Sequence, residues 1–322
     1  MFTSPILDIA ITLVFVYFIL AIIVSAFNEF VMTVLRIRAS MLEEAIKNFI
    51  PDDGWKKICD KVLGSAYITS LQQKPNKFPS YIPAQNFALA LTSAVSGTKA
   101  EFLNIDGLKT FINENVPSNS ETQKLLTSLL AKSEKDFSEF QKSIEGLFND
   151  SMDRLTGFYK RKVKKIIFFI ALAISIALNV DTINITNQLW KNPMLAKATA
   201  DRIHALATKD SLSHLKERAL VSPSEAASKD TAIQVQEVKQ KIDYMKEVYA
   251  LTQEVPLPMG WVQHNYPDSS NGFDIVAWLV KLLGIFLTTF AISLGAPFWF
   301  DLLSKLVNMR NTGAKPETKT NP

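Results

Sequence analysis

Ile6–Phe27 reads ILDIAITLVFVYFILAIIVSAF, about 22 residues with Asp8 as its only charge. At about 1.5 Å per residue this covers the roughly 30 Å hydrocarbon core of a bilayer. No basic segment precedes it and no A-x-A site follows, so it is expected to be a retained span rather than a cleaved signal peptide. Two further runs share its character. Ile166–Ile185 (IIFFIALAISIALNVDTINI) is apolar for its first thirteen residues and then admits Asn179 and Asp181, which puts its outer end in the interface. Phe273–Phe300 carries Asp274 and Lys281 near its start, followed by LLGIFLTTFAISLGAPFWF, with Trp278 and the Phe298/Trp299 pair where aromatic belts belong.

These runs imply an all-α integral membrane protein with three transmembrane helices. Composition alone would not: 48% hydrophobic and 20% charged residues also suit a soluble chain, so the clustering decides. The net charge of +4 is mild, and the basic residues gather at run ends rather than in a stripe with aromatics, so nucleic acid is not an expected partner. The lone Cys59 excludes an internal disulfide and a paired-cysteine zinc site.

Positive charge near the run ends sets orientation. Arg36 and Arg38 follow the first run, Lys160, Arg161, Lys162, Lys164 and Lys165 precede the second, and Lys305, Arg310 and Lys315 follow the third. The expected layout is a first span within residues 1–38 with its N-terminus outside, and a cytoplasmic region at 39–165. The second span is 166–185, the external region 186–272, the third span 273–300 and the cytoplasmic tail 301–322. The membrane is expected to be a bacterial inner membrane, with the lipid bilayer itself as first partner.

Both connecting regions read as helical. On the cytoplasmic side a helix is expected to continue through Met41–Ile50, stop at Pro51-Asp52-Asp53-Gly54 and restart at Trp55. Three prolines within Lys74–Pro83 force an extended path before a helix at Gln85–Ser96. From Glu121, apolar residues at Leu125, Leu129, Phe137, Phe140, Ile144, Phe148, Met152 and Leu155 keep helical spacing, predicting a long helix that feeds the second span. Outside, Ala196–Leu220 and Ala226–Glu254 suggest a helical hairpin, closed by the rigid Val255–Trp261.

Phosphate-binding glycine loops, HExxH and GxSxG are absent from the sequence, so no enzyme, cofactor or metal is expected. Ionisable residues inside apolar runs are costly unless paired, which makes each a candidate site. Asp8, Asp181 and Lys281 fall near one outer layer and predict an ion pair, although Lys281 could equally snorkel to the headgroups. Glu29 with Lys305 is the matching expectation at the inner side.

The chain resembles a group of uncharacterised bacterial integral membrane proteins. The resemblance is carried by LDIAITLVFVYFILAIIVSAFNEF at Leu7–Phe30, PSYIPAQNFALAL at Pro79–Leu91, MDRLTGFYKRKVKKI at Met152–Ile166 and ALNVDTI at Ala177–Ile183. It extends through LWKNPML at Leu189–Leu195, LPMGW at Leu257–Trp261 and GAPFWFDLLSKLVNMRNTG at Gly295–Gly313. It implies the same three-span layout and a signature surface on the cytoplasmic face. Pro79, Tyr81, Ile82, Pro83 and Phe87 are the expected docking residues for a cytoplasmic protein partner or a second copy. The functional expectation is a non-enzymatic membrane scaffold that self-associates or recruits that partner, with a homo-oligomeric pore or membrane-perturbing effector as the alternative.

Overall fold

The computed structural model of the chain describes residues 4–50, 52–72, 77–96, 105–133, 136–208, 246, 250, 255, 257, 259–262, 265–266 and 274–312. Among the described residues all regular structure is helical. The helices are α1 (Pro5–Leu35), α2 (Ile37–Lys47), α3 (Asp53–Leu63), α4 (Ala66–Thr69), α5 (Ala84–Ser96), α6 (Ile105–Asn115), α7 (Glu121–Lys132), α8 (Phe137–Ala177), α9 (Thr182–Lys191), α10 (Pro193–Thr208), α11 (Ile275–Ile292) and α12 (Ala296–Thr312). Contacts divide the chain into two units, residues 1–31 with 164–322, and residues 32–163.

In the first unit α1 is enclosed by protein, with Ile11, Phe15, Phe18 and Ile22 fully buried. Helix α12 runs antiparallel beside it: Tyr17 meets Trp299 at 4.7 Å between ring centroids, Phe18 meets Phe300 at 5.7 Å, and Asp8 meets Arg310. Helix α11 is packed on one face only. Lys281, Gly284, Ile285, Thr288 and Ile292 are buried, while Leu279, Leu283, Phe286 and Phe290 are exposed, as for a helix that lipid would cover.

Two helices, over Pro5–Met32 and Ile275–Ile292, are long and apolar enough to cross a membrane. A third crossing exists only if α8 and α9, bent by 45° at a short break, count as one. The run Ile166–Ile185, expected as one short span, is two helices that meet at this break. Asn179 adopts a left-handed conformation (φ 47°), and Asp181 in an extended conformation starts α9 by accepting from the amides of Ile183 and Asn184. The polar residues that marked the outer end of the run are the ones that end one helix and begin the next.

The expected third span, Phe273–Phe300, is likewise two helices. The chain turns after Ile292 through Gly295 (φ +93°), a conformation suited to glycine, and α12 restarts with Pro297 in its first turn. The Trp299 indole donates to the Ala291 carbonyl at 2.8 Å and fastens the turn. Residues 301–312, expected in a tail, continue α12 back along α1. Of the external hairpin, α10 covers Pro193–Thr208, and 209–245 lies outside the described residues.

The second unit has its own core. Helix α1 ends at Leu35 because Arg36 turns left-handed (φ 47°), and its guanidinium donates to the Phe78 carbonyl at 2.9 Å. Helix α3 starts at Asp53, two residues before the expected restart at Trp55, and Asp52 caps it by accepting from the Trp55 amide. Trp55, fully buried, donates its indole N–H to the Ile46 carbonyl at 2.7 Å and packs with Phe49 and Phe87. Phe87 stacks on Phe148 at 4.3 Å. The helix expected from Glu121 onward is two, α7 ending at Lys132 and the 41-residue α8 starting at Phe137, which buries Phe140, Ile144 and Phe148 in this core.

Candidate functional site

The break between α8 and α9 is surrounded by polar groups. The Gly260 amide donates to the Leu178 carbonyl at 3.0 Å, and the Asn179 side-chain amide returns a bond to the Gly260 carbonyl at 2.9 Å. Gly260 has φ +98°, so glycine fits where a side chain would strain. The Trp261 indole N–H lies 3.1 Å from the carbonyls of both Ile176 and Ala177 and covers the open end of α8.

Asn265, 3% exposed, is the centre of this arrangement. Its side-chain oxygen accepts from Asn184 at 2.9 Å and Gln188 at 2.6 Å, its amide donates to the Gly260 carbonyl at 2.9 Å, and its backbone carbonyl accepts from the Lys281 ammonium at 2.7 Å. Lys281 also stands 5.5 Å from the Trp261 ring centre, a cation–π placement. One residue thus ties the loop, α9 and α11 together.

Asp181 and Lys281, two of the three residues expected in one ion pair, come to this place, close enough for their charges to interact. Their bonds differ from the expectation. Asp181 caps α9, and the ammonium is held by a carbonyl. Asp181 lies directly against Gly284, where any Cβ would fall on its carboxylate. One residue along α9, the Thr182 hydroxyl bridges Tyr17 and Thr288, each at 2.8 Å, and Thr288 donates onward to the Gly284 carbonyl at 3.0 Å. These hydroxyl contacts join α1, α9 and α11.

Asp8, the third member of the expected group, lies elsewhere. Arg310 approaches it at 3.3 Å and Asp201 of α10 at 2.6 Å. Arg310 and Asp8 are both buried. Arg310, expected in a tail at the far end of the span, belongs to the end of α12 that returns to the start of α1. The same register corrects the Glu29–Lys305 expectation. Lys305 falls between the Asp8–Arg310 and Phe18–Phe300 contacts, whereas Glu29 lies about three turns beyond Phe18, or roughly 16 Å.

The expected docking residues divide. Tyr81 is 65% exposed and Pro83 half-buried, but Pro79, Ile82 and Phe87 are buried in the second unit's core. Phe87 is a packing residue, and the apolar spacing after the prolines marks a core face. Within α3, burial pushes the Cys59 thiol up to about 11, with Asp60 adding to the rise. That is the thiol of a packing residue rather than a nucleophile.

Comparison of the chain with protein-family models, curated proteins and solved structures finds no match. Function is therefore argued from the geometry. Asn265, Gly284 and Asp201 were not among the residues singled out from sequence, and Arg310 was read only as a marker of orientation. The one available signal was Gly284 in the middle of an apolar helix, a position where glycine commonly marks a close approach.

Proposed function

We propose that this protein is a non-enzymatic scaffold of a bacterial inner membrane. In this reading α1, the broken pair α8–α9 and α11 enter the bilayer, α12 turns back beside α1 to the side on which α1 starts, and the charged unit of residues 32–163 faces the cytoplasm, where it holds a protein partner or a second copy of the chain. The observation that carries the proposal is the Asn265 centre, where Asn184, Gln188 and Lys281 are engaged in fastening the loop, α9 and α11 to one another. This favours a rigid anchor over a conducting path, which needs polar groups turned to an open route. Arg36, Arg38 and the basic run at 160–165 support the orientation. The Asp8–Arg310 pair supports putting the start of α1 and the end of α12 on one side, in place of a tail on the opposite side.

Docking is assigned to the exposed surface at Tyr81. A photo-crosslinking residue at position 81, in the full chain in native membranes, should give a discrete adduct that the same probe at Lys56 does not give. Equal labelling from both positions would remove the docking surface. Ion leak through vesicles holding the purified protein, abolished by Lys281→Met, would replace the scaffold with the pore.

A further inference from the structure

Helix α8 carries an exposed face whose chemistry changes along its length. Arg161, Lys162 and Lys165 are exposed at helical spacing, and Phe169, Ala173 and Ile176 continue the same face, also exposed. Among the described residues none of the three cations has an ion-pair partner, and Arg161 instead stands over the exposed ring of Phe158 at 4.6 Å. Phe169 is 66% exposed, and its ring is braced edge-on against Phe168, which packs on Phe286 of α11.

The dimensions match one lipid. From Lys165 to Ile176 the helix rises about 16 Å, close to half of the roughly 30 Å hydrocarbon core. A cationic end and an apolar end one leaflet apart fit a molecule with an anionic head and long acyl chains. Arginine offers a phosphate two parallel N–H groups, and the lysines add charge at the same level. Ala173, exposed between Phe169 and Ile176, adds little bulk along the path of a chain.

We propose that this face of α8 binds one anionic phospholipid, with its phosphate on Arg161, Lys162 and Lys165 and an acyl chain along Phe169, Ala173 and Ile176. The proposal rests on α8 entering the membrane, as in the reading above. Each basic residue near an anionic lipid surface contributes about a fivefold factor in affinity, so the three together give about a hundredfold.

The test uses the full-length protein purified in neutral detergent and native mass spectrometry, with phosphatidylglycerol or phosphatidylcholine added. Expected is one phosphatidylglycerol retained per chain, with retention falling about a hundredfold in R161Q/K162Q/K165Q and kept in R161K/K162R/K165R. Equal retention of the two lipids, or no loss in the neutralised variant, overturns the proposal. If that variant fails to fold, the wild-type protein decides. Displacement of the lipid by inorganic phosphate beyond that by chloride at equal ionic strength would show a simple phosphate site and also overturn it; retention against both supports it. Extraction of the protein from membranes by alkaline carbonate would instead defeat the membrane reading itself.

Discussion

Asp181 and Asp52 have the same local role in different surroundings. Each caps a helix, Asp181 through the amides of Ile183 and Asn184 and Asp52 through that of Trp55. Each is also set against a glycine. Asp181 lies on Gly284 of another helix, while a Cβ at Gly54 would meet Ser120 Oγ at 3.0 Å, Thr122 Cβ at 3.2 Å and Asp52 Oδ1 at 3.3 Å. Asp52 then adds tertiary bonds from the Thr122 amide at 2.7 Å and hydroxyl at 2.6 Å, fastening α3 to α7. The difference lies in what could replace the protein partner. Water can reach half-buried Asp52, whereas Asp181, 4% exposed in an apolar unit, has only the groups around it.

The largest effect is expected where the fit is closest. Gly284→Ala forces the Asp181 carboxylate off its cap or pushes α11 away from α9, and should cost about 3 kcal/mol. The readout is the temperature at which the detergent-solubilised protein leaves its monodisperse peak. Asp181→Ala alone costs about 1 kcal/mol as a lost cap. In the double variant the clash is gone, so most of the Gly284→Ala loss should be recovered. Additive losses would show that Gly284 and Asp181 do not share one space.

The asymmetry also explains what could be read from sequence. The apolar runs, the cap at Asp52 and the long α8 follow from local composition and spacing, because each is decided by residues within a turn or two of one another. Asp181 and Lys281 were legible as costly charges in apolar runs. Their partners were not, since Asn265 and Gly284 have no local peculiarity that names a contact on another helix. The break at Ser293–Gly295 was hidden by hydropathy, which is nearly continuous through it, whereas Asn179 and Asp181 were visible but read as the outer end of a run rather than as a break between two helices. Arg310 was misread for a related reason: a charge just past an apolar run is a topology signal only if the chain keeps going, and here α12 turns back. The Phe87 spacing was legible as a helix face, but spacing does not say whether that face meets its own core or a partner.

In the second unit the corresponding changes should be smaller and ordered. Cys59, the chain's only cysteine, is buried with its thiol raised, so its rate of alkylation reports how often this unit opens. Asp52→Ala removes a cap and two bonds to Thr122 and should cost about 2 kcal/mol, a roughly thirtyfold faster alkylation. Gly54→Ala meets atoms that can shift by a few tenths of an ångström, at a cost of about 1 kcal/mol. An effect of Gly54→Ala equal to that of Gly284→Ala would mean that surroundings do not set the cost, and the comparison would fail.

The smallest effect is with pH. Partial burial alone would raise the Asp52 carboxyl, but hydrogen bonds from the Thr122 hydroxyl and the amides of Thr122, Trp55 and Glu121 outweigh it and hold the group below its ordinary value. A depressed carboxyl stabilises the folded state fully above the ordinary carboxylate range, and that contribution is lost as pH falls through the folded value. Asp52→Asn keeps the size and removes the charge. Wild-type and variant alkylation rates at Cys59, compared at each pH so that the thiol's own ionisation cancels, should differ most at neutral pH and converge on acidification. A constant ratio down through the carboxylate range would mean that the bonds to Thr122 act through shape alone, and that the charge on Asp52 contributes nothing to closing α3 onto α7.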